Sequence, residues 1–271
     1  MNVAALVEYD GTRFAGFQRQ APDKGPTVQG AIEAAISRVA GTDIGIKAAG
    51  RTDSGVHATG QVVNFHVPER LDEAGWQRAL NALLPADVSV RATCRVAPDF
   101  HARWSALARS YRYLILCDTC RAPLRERFVW RVAHRLDVAA MDAGAQLLLG
   151  EHDFGSFGSA PQDRNTGNGH RGHTVRVMLA ASCRWVPGEQ SAIDIIECRF
   201  TANAFLAGMV RRLVGTLVLV GEGRIGIADF QHILAAAEKS HLGAAAPARG
   251  LCLTGVEYPG GAVAWEAEYS A

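Results

Sequence analysis

The chain has 271 residues, of which 48% are hydrophobic and 20% charged, so it can bury the core of one large domain or two medium ones. Its formal net charge of +1 does not by itself indicate a nucleic-acid-binding protein. No apolar run reaches the roughly 18 residues of a membrane helix, and the first residues lack the basic region of a signal peptide. We therefore expect a cytoplasmic protein without membrane contact.

The first part of the chain alternates strand-like and helix-like patterns. Apolar residues recur at helical spacing after Thr27, a favourable N-cap, until Gly41 ends the helix. A second helical pattern begins at Asp72 and stops before Pro85. The expected elements are a strand over residues 2–9, the helix after Thr27, a strand over 44–49, a loop over 50–60, a strand over 61–67, a helix over 72–84 and a strand over 88–96.

A related order of elements follows in the remainder of the chain. Tyr111 and Tyr113 alternate in a strand-like segment, and Asp137 is a favourable N-cap. The expected elements are a strand over residues 110–117, a helix over 137–149, strands over 174–185 and 192–201 joined by a turn at Pro187 and Gly188, helices over 203–220 and 228–239, and a last strand over 251–258.

This order of elements predicts an α+β fold made of two halves. Each half would have a mostly antiparallel sheet with helices on one face. We place the boundary near residues 106–109, which gives an N-terminal half of residues 1–107 and a C-terminal half of residues 108–271. A cleft between two such halves is a natural place for a bulky substrate.

Two features that could suggest a metal site do not support one. Cys117 and Cys120 form a CxxC motif, but a structural zinc site would need a second pair at similar spacing. His170 lies in residues 155–172, a segment rich in Gly, Asn and Ser that we expect to be a mobile loop, and His173 directly follows this segment. We therefore expect no metal site.

Positive charge is concentrated in one stretch of the sequence. Between Arg103 and Arg135 there are eight arginines and only two acidic residues. One interpretation is a solvated surface in an arginine-rich protein, because the whole chain has only three lysines. The other is a surface that follows RNA phosphates, which predicts salt-dependent RNA binding.

The most unusual segment lies between two predicted strands. Residues 50–61 read GRTDSGVHATGQ and place Arg51, Asp53 and His57 in one glycine-rich loop. A carboxylate held on a rigid loop can act as a nucleophile or as a base. The alternative is an Asp-Ser-Gly turn in which Asp53 only caps the backbone.

The whole string GRTDSGVHATGQ resembles the signature of TruA-type pseudouridine synthases. Further segments agree with this family in the same order along the chain. They are residues 7–12 and 14–18 near the start, 81–85 and 100–103 in the middle, 110–113 in a tyrosine strand, 150–154 in a turn, 205–206 with 209–211 and Gly215 in an arginine helix, and 246–251 in a closing loop. The resemblance thus covers nearly the whole chain.

The resemblance implies a pseudouridine synthase that isomerises uridines in the anticodon stem-loop of tRNA, at the family's target positions 38, 39 and 40, without a cofactor. Asp53 would be the catalytic nucleophile or base, Tyr111 would stack on the flipped base, and Arg211 would pair with Asp53. The family also implies a homodimer in which one tRNA touches both subunits. The residues expected to contact RNA or substrate are Arg51, His57, Arg109, Tyr111 and Leu251.

The sequence departs from the family pattern at two places. Ala207 and Gly208 stand where the arginine helix commonly has a histidine or an aromatic residue, and Gly158 replaces an arginine. These changes concern RNA contacts or rate rather than the type of reaction.

These residues also allow other interpretations. Tyr111 could be a core residue of the sheet, and Arg211 could form a purely structural salt bridge. An aspartic protease would need a second Asp-Ser-Gly or Asp-Thr-Gly element, which the chain lacks. A non-catalytic RNA-binding protein, or an RNA-folding role beside catalysis, stays open.

Overall fold

The computed structural model describes residues 1–160, 173–186, 195–236 and 242–265. Its strands are β1 (Asn2–Tyr9), β2 (Lys47–Ala48), β3 (His57–His66), β4 (Val88–Val96), β5 (Ala108–Cys117), β6 (Trp130–Val132), β7 (Gly150–Asp153), β8 (Val175–Val186), β9 (Ile195–Ala202) and β10 (Leu251–Glu257). Its α-helices are α1 (Val28–Ala40), α2 (Glu73–Asn81), α3 (Val138–Gln146), α4 (Met209–Gly221) and α5 (Ile227–Ala236). The predicted turn at Pro187 and Gly188, His170, most of the predicted 155–172 loop and the expected helix end at residues 237–239 lie outside the described residues.

The chain falls into two compact units, which we call the first unit (Met1–Arg109 with Cys252–Ala271) and the second unit (Ser110–Leu251). The first unit thus also takes in most of β10, which pairs with β3 in parallel. The sequence-based division at residues 107 and 108 remains a prediction of domains.

Strands of the first unit follow the order β4–β1–β3–β10, and β1 runs antiparallel to both β3 and β4. Both faces of β1 are covered. On one face Phe65 of β3 packs edge-on against Trp76 of α2, with ring centroids 5.8 Å apart. On the other face Ala4 and Val62 join a buried cluster with Phe100. This two-sided burial explains why β1 reads as an almost continuous apolar run.

The second unit has the strand order β5–β9–β8–β7, with β6 pairing in parallel with the end of β5. Helix α3 packs on β8, and the Gln146 side chain donates to the Ala181 carbonyl (2.9 Å). Helix α4 is almost entirely buried, since its apolar residues contact α3 and α5. The predicted α+β class with mostly antiparallel strands is confirmed. Among the described helices, none is long and apolar enough to cross a membrane.

Side-chain caps fix several helix starts where the sequence predicts them. Thr27 accepts from the N–H of Gly30 at the start of α1, and Gly41 ends that helix in the left-handed conformation (φ 73°). Asp72 and Asp137 cap α2 and α3 in the same way as Thr27.

Several predicted boundaries are wrong, such as the ends of α2 and α3, and three of the differences have identifiable reasons. The strand at 44–49 shrinks to β2, because the N–H of Ile44 bonds to Ser37 and that of Ile46 to Glu33, both in α1. Strand β3 begins at His57 rather than at residue 61, since β10 supplies the pairing partner of His57. Helix α4 begins at Met209 rather than residue 203, after Gly208 in the left-handed conformation (φ 71°).

The predicted loop over 155–172 begins with irregular backbone, as expected, but its first residues are packed against the protein. Ser156 and Phe157 are fully buried, and Ser159 forms an isolated bridge with Ala207. The apolar contacts of Phe157 explain this order, since its ring packs near Phe154 and Phe230.

Candidate active site

The loop between β2 and β3 carries Asp53, whose side chain is exposed. The preceding residue, Thr52, is buried and anchors the loop. Its hydroxyl is 2.8 Å from the Tyr9 hydroxyl, and its carbonyl accepts from the N–H of Phe17 (3.0 Å). The backbone on the N-terminal side of Asp53 is therefore fixed by the segment that follows β1.

The residues after Asp53 are held by the same segment. The Ser54 hydroxyl donates to the Phe14 carbonyl (3.1 Å), and the N–H of Val56 donates to the Asp53 carbonyl (3.1 Å), which closes a turn. Gly16, with φ 106°, lies beside this turn, and a Cβ there would be 3.1 Å from the Thr52 carbonyl oxygen. The loop thus presents Asp53 from a constrained backbone, as a reacting carboxylate requires.

Gln61 of β3 clamps the beginning of the loop. Its side chain is fully buried; Nε2 donates to the Gly50 carbonyl (2.9 Å), and Oε1 accepts from the Gly50 N–H (3.3 Å). The amide therefore satisfies both backbone groups of Gly50. Gln61 belongs to the signature, but the sequence alone gives no sign of this clamping role.

Arg109, a predicted RNA contact, is only 8% exposed. Its guanidinium donates to the carbonyl of Ala49, at the foot of the loop, with Nε at 3.3 Å and Nη2 at 3.2 Å. It also donates to the carbonyls of Arg103 (2.6 Å) and Ala106 (3.1 Å). These bonds make Arg109 a residue that positions the loop and the 103–106 segment.

His57, a second predicted RNA contact, is buried at the start of β3. Its Nδ1 lies 3.1 Å from the Gly11 nitrogen and 3.1 Å from Asp10 Oδ1. These contacts require opposite protonation of Nδ1, which accepts from Gly11 only when it carries no hydrogen. We assign the acceptor role, because the backbone fixes the direction of the Gly11 N–H. His57 thereby ties the end of the loop to the end of β1.

Arg51, a third predicted RNA contact, is exposed two residues before Asp53. Burial and, secondarily, the charge of Arg51 lower the pKa of the Arg103 guanidinium. The loop therefore carries positive charge beside the Asp53 carboxylate.

Tyr111 lies on β5 in the second unit and is 9% exposed. Its ring packs edge-on against Phe205, with centroids 5.0 Å apart and an interplanar angle of 84°. This contact orients the ring and leaves a small part of it accessible.

Arg211 lies in the first turn of α4, and two hydrogen bonds tie it to the closing loop. Its Nε donates to the Ala246 carbonyl (2.7 Å), and its own carbonyl accepts from the Ala246 N–H (2.9 Å). Leu251, at the other end of this loop, is buried at the start of β10. The structure therefore joins Arg211 to the segment that leads to Leu251.

Tyr113 supports the same loop and was missed as a site-building residue. It is fully buried, and its hydroxyl donates to the Pro247 carbonyl (2.8 Å). Burial strongly raises the pKa of Tyr113, so this hydroxyl stays protonated as a donor. In the sequence, the only indication of this role is that Tyr113 alternates with Tyr111 along the predicted strand.

The predicted arginine cluster is used in several ways. Arg109 is buried, and Arg121 and Arg131 each pair with Glu126 (3.3 Å). Arg135 lies over the ring of Trp185, at 5.6 Å from its centroid. Part of the positive charge in this stretch therefore stabilises the protein itself.

The departures from the family pattern have local explanations. Gly158 lies against Leu206, where a Cβ would overlap the leucine side chain. Ala207 forms the backbone bridge to Ser159, and Gly208 adopts the left-handed conformation that precedes α4. Glycine is therefore favoured at position 158 by packing and at position 208 by backbone geometry.

Comparison with known proteins identifies the family of this chain. A family model described as tRNA pseudouridine synthase matches residues 5–105 and 145–259. A relative from Chloroflexus aurantiacus, named tRNA pseudouridine synthase A, is 43% identical over 97% of this chain and 91% of its own length. Proteins of the same name from Roseiflexus castenholzii and Moorella thermoacetica are also 43% identical, over 95% and 93% of this chain and 91% and 97% of their own lengths.

The fold, the constrained carboxylate loop and these matches define a pseudouridine synthase, an isomerase. The chain belongs to the tRNA pseudouridine synthase family, in the group whose curated members are named tRNA pseudouridine synthase A. The predictions of the family and of an isomerase acting on tRNA are confirmed.

Proposed function

We propose that this enzyme converts uridine to pseudouridine in the anticodon stem-loop of tRNA, with Asp53 as the catalytic carboxylate. The reaction breaks the bond between N1 of uracil and C1′ of ribose and forms a bond between C5 and C1′. A proton leaves C5 and one is gained at N1, so the composition and the oxidation state do not change. Side chains and water are sufficient for such proton transfers, and we expect no cofactor.

The observation that carries this proposal is the environment of Asp53. The carboxylate is exposed, whereas its two neighbours in the chain are anchored through Thr52 and Ser54 to the segment after β1. A nucleophile or base needs this combination of an accessible carboxylate and a fixed backbone. An Asp that only caps a turn would not need Gln61 and Arg109 to hold the foot of its loop.

Tyr111 and Arg211 are the proposed partners of Asp53 in the reaction. The edge-on contact with Phe205 supports a role for Tyr111 in stacking on the flipped uracil. The family resemblance implies that Arg211 pairs with the Asp53 carboxylate, and the bond from Arg211 to Ala246 would orient the guanidinium for this contact.

The proposed RNA contacts divide into two groups. Arg51 is exposed and suited to bind a phosphate directly. Arg109, His57 and Leu251 are buried, and we propose that they act on the RNA site by positioning its loops. The homodimer and the cytoplasmic location are further proposals, and both derive from the family resemblance and the tRNA substrate.

The test is primer extension after carbodiimide treatment of tRNA transcripts incubated with the wild-type enzyme, Asp53→Asn or Asp43→Asn. Asp43 is an exposed aspartate in the segment between α1 and β2 of the same unit and serves as the matched control. We expect stops in the anticodon arm with the wild type and Asp43→Asn, and none with Asp53→Asn.

Two other outcomes would contradict the proposal. Stops outside the anticodon arm would reject the target site but keep the reaction. RNA binding without stops by either the wild type or the control would favour a non-catalytic RNA-binding protein.

For the pair of Asp53 and Arg211, non-additive losses of kcat in Asp53→Asn, Arg211→Lys and the double variant would support coupling.

A further inference from the structure

Trp104 is the most unusual exposed side chain near the Asp53 loop. It is 72% exposed, although exposing an indole to water is unfavourable. The Arg103 guanidinium lies 4.7 Å from the centroid of its ring, and the His101 ring lies 5.7 Å away at an angle of 36°. The Trp104 ring is therefore largely open to solvent and lies beside the side chains of Arg103 and His101.

The turn that carries Trp104 is rigid. The N–H of Ala102 donates to Oδ1 of buried Asn64 (2.8 Å), and the Ala102 carbonyl accepts from the Tyr258 hydroxyl (2.7 Å). His101 and Ser105 exchange two hydrogen bonds, one from the His101 N–H to the Ser105 hydroxyl (3.1 Å) and one from the Ser105 N–H to the His101 carbonyl (2.9 Å). Such a preorganised aromatic surface loses little entropy when a ligand binds.

His101 adds a defined donor to this turn. Its Nδ1 accepts from the N–H groups of Arg103 (3.1 Å) and Trp104 (3.3 Å), so the ring hydrogen is on Nε2. Burial and, secondarily, the charge of Lys47 lower the pKa of His101. The imidazole is therefore neutral near pH 7 and presents an N–H donor.

Positive charge surrounds the same turn. The charge of Lys47 acts on His101, and that of Arg51 acts on Arg103. In the part of the chain that the structure describes, no carboxylate lies within ion-pair distance of Lys47, Arg51 or Arg103. Like charges gathered without an acidic partner favour the binding of an anion.

We propose that Trp104 stacks on an unpaired base of the RNA substrate while Arg51, Arg103 and Lys47 hold the phosphates beside it. Aromatic rings in a basic surface are typical of single-stranded RNA binding, since every base has a π-face. A tryptophan that binds a protein partner would not require three positively charged side chains beside it. This subsite deepens the proposed function and rests on it, because Arg51 lies two residues from Asp53.

The test compares Trp104→Ala and Trp104→Phe with Leu107→Ala. Leu107 is 58% exposed in the same segment and is the matched control for loss of apolar surface. Binding to a tRNA transcript is measured by filter binding, and turnover is measured under single-turnover conditions. We expect Trp104→Ala to weaken binding by about 5- to 150-fold, the range for loss of one stacked base. The rate at saturating RNA should stay near the wild-type value.

Trp104→Phe retains a π-face and should recover most of the affinity. Oligouridylate should also quench part of the tryptophan emission of the wild type, and this quenching should be absent in Trp104→Phe. Equal affinity of Trp104→Ala and Leu107→Ala, equal losses in Trp104→Phe and Trp104→Ala, or a change in oligomeric state without a change in RNA affinity would each overturn the subsite. Failure of the wild type to form pseudouridine would instead reject the proposed function.

Discussion

Replacement of Gln61 by Met should slow the enzyme without touching a reacting atom. Methionine has nearly the same length as glutamine, so the buried volume is largely kept. The substitution removes the donor to the Gly50 carbonyl and the acceptor of the Gly50 N–H, which are 2.9 and 3.3 Å from the amide in the native protein. Gly50 lies three residues before Asp53, so the loop loses its clamp at one end.

The size of the effect follows from these two hydrogen bonds. Each contributes about 1 kcal/mol net, and orphaned backbone groups raise the loss, so we expect destabilisation of about 2 kcal/mol. For a chain of this size that lowers Tm by roughly 4–8 °C. A small displacement of a reacting group can reduce kcat by on the order of 100-fold. We therefore expect kcat to fall about 10- to 100-fold at a temperature where the variant is folded.

Asn81→Leu provides a matched control for this experiment. Asn81 clamps Val90 with the same two bonds, each 2.8 Å long, between α2 and β4. The Asn81→Leu variant should have a lower Tm, while its kcat should stay at the wild-type value. The assay is single-turnover pseudouridine formation beside thermal unfolding followed by circular dichroism. If Gln61→Met lost stability but kept the kcat of Asn81→Leu, the clamp would have no role in positioning Asp53.

Two further predictions concern packing and charge. Gly60→Ala should lower Tm by several degrees, because a Cβ there would overlap the Thr254 carbonyl of β10; Gly255→Ala, with open space around its Cβ, should leave Tm within about 1 °C. For Glu197, burial acts to raise the pKa, but hydrogen bonds from Arg199 and Arg184 outweigh it and lower the pKa below 4.5. The ionised Glu197 carboxylate thus contributes fully to the free energy of unfolding above its unfolded-state pKa. This contribution is lost as the pH falls through the folded-state pKa. Urea titrations from pH 7 to 3 should show a smaller acid loss in Glu197→Gln, and equal losses would contradict this assignment.

Local sequence patterns predicted most elements because their causes are local. Thr27, Asp72 and Asp137 cap helices through their own side chains, and β1 is recognisable from its apolar run. Element ends were less predictable where a distant segment supplies the partner. The start of β3 at His57 depends on β10, almost two hundred residues later. The start of α4 depends on the left-handed conformation of Gly208, which composition does not indicate.

The sequence predicts which residue types form the candidate site, but it does not predict how the loops of the site are held. Asp53 and Arg51 are exposed, as a reacting carboxylate and a phosphate ligand should be. His57 and Arg109 were expected to contact RNA, yet the structure uses both side chains to hold backbone. The sequence does not indicate whether a charged or polar side chain of a signature faces the ligand or supports the loop. Both roles use the same hydrogen-bond donors.

The distribution of side chains in the signature shows why so long a string surrounds one carboxylate. Thr52 and Gln61 point into the protein, and their polar atoms bond to Tyr9 and Gly50. These contacts reach the loop from β1 and β3, so we expect a change in either of them to shift Asp53 relative to the strands. Accurate positioning of a reacting group depends on the residues that support it. The buried polar residues of the signature therefore fix the geometry of the loop, whereas exposed Arg51 and Asp53 are the side chains that we propose to meet the RNA directly.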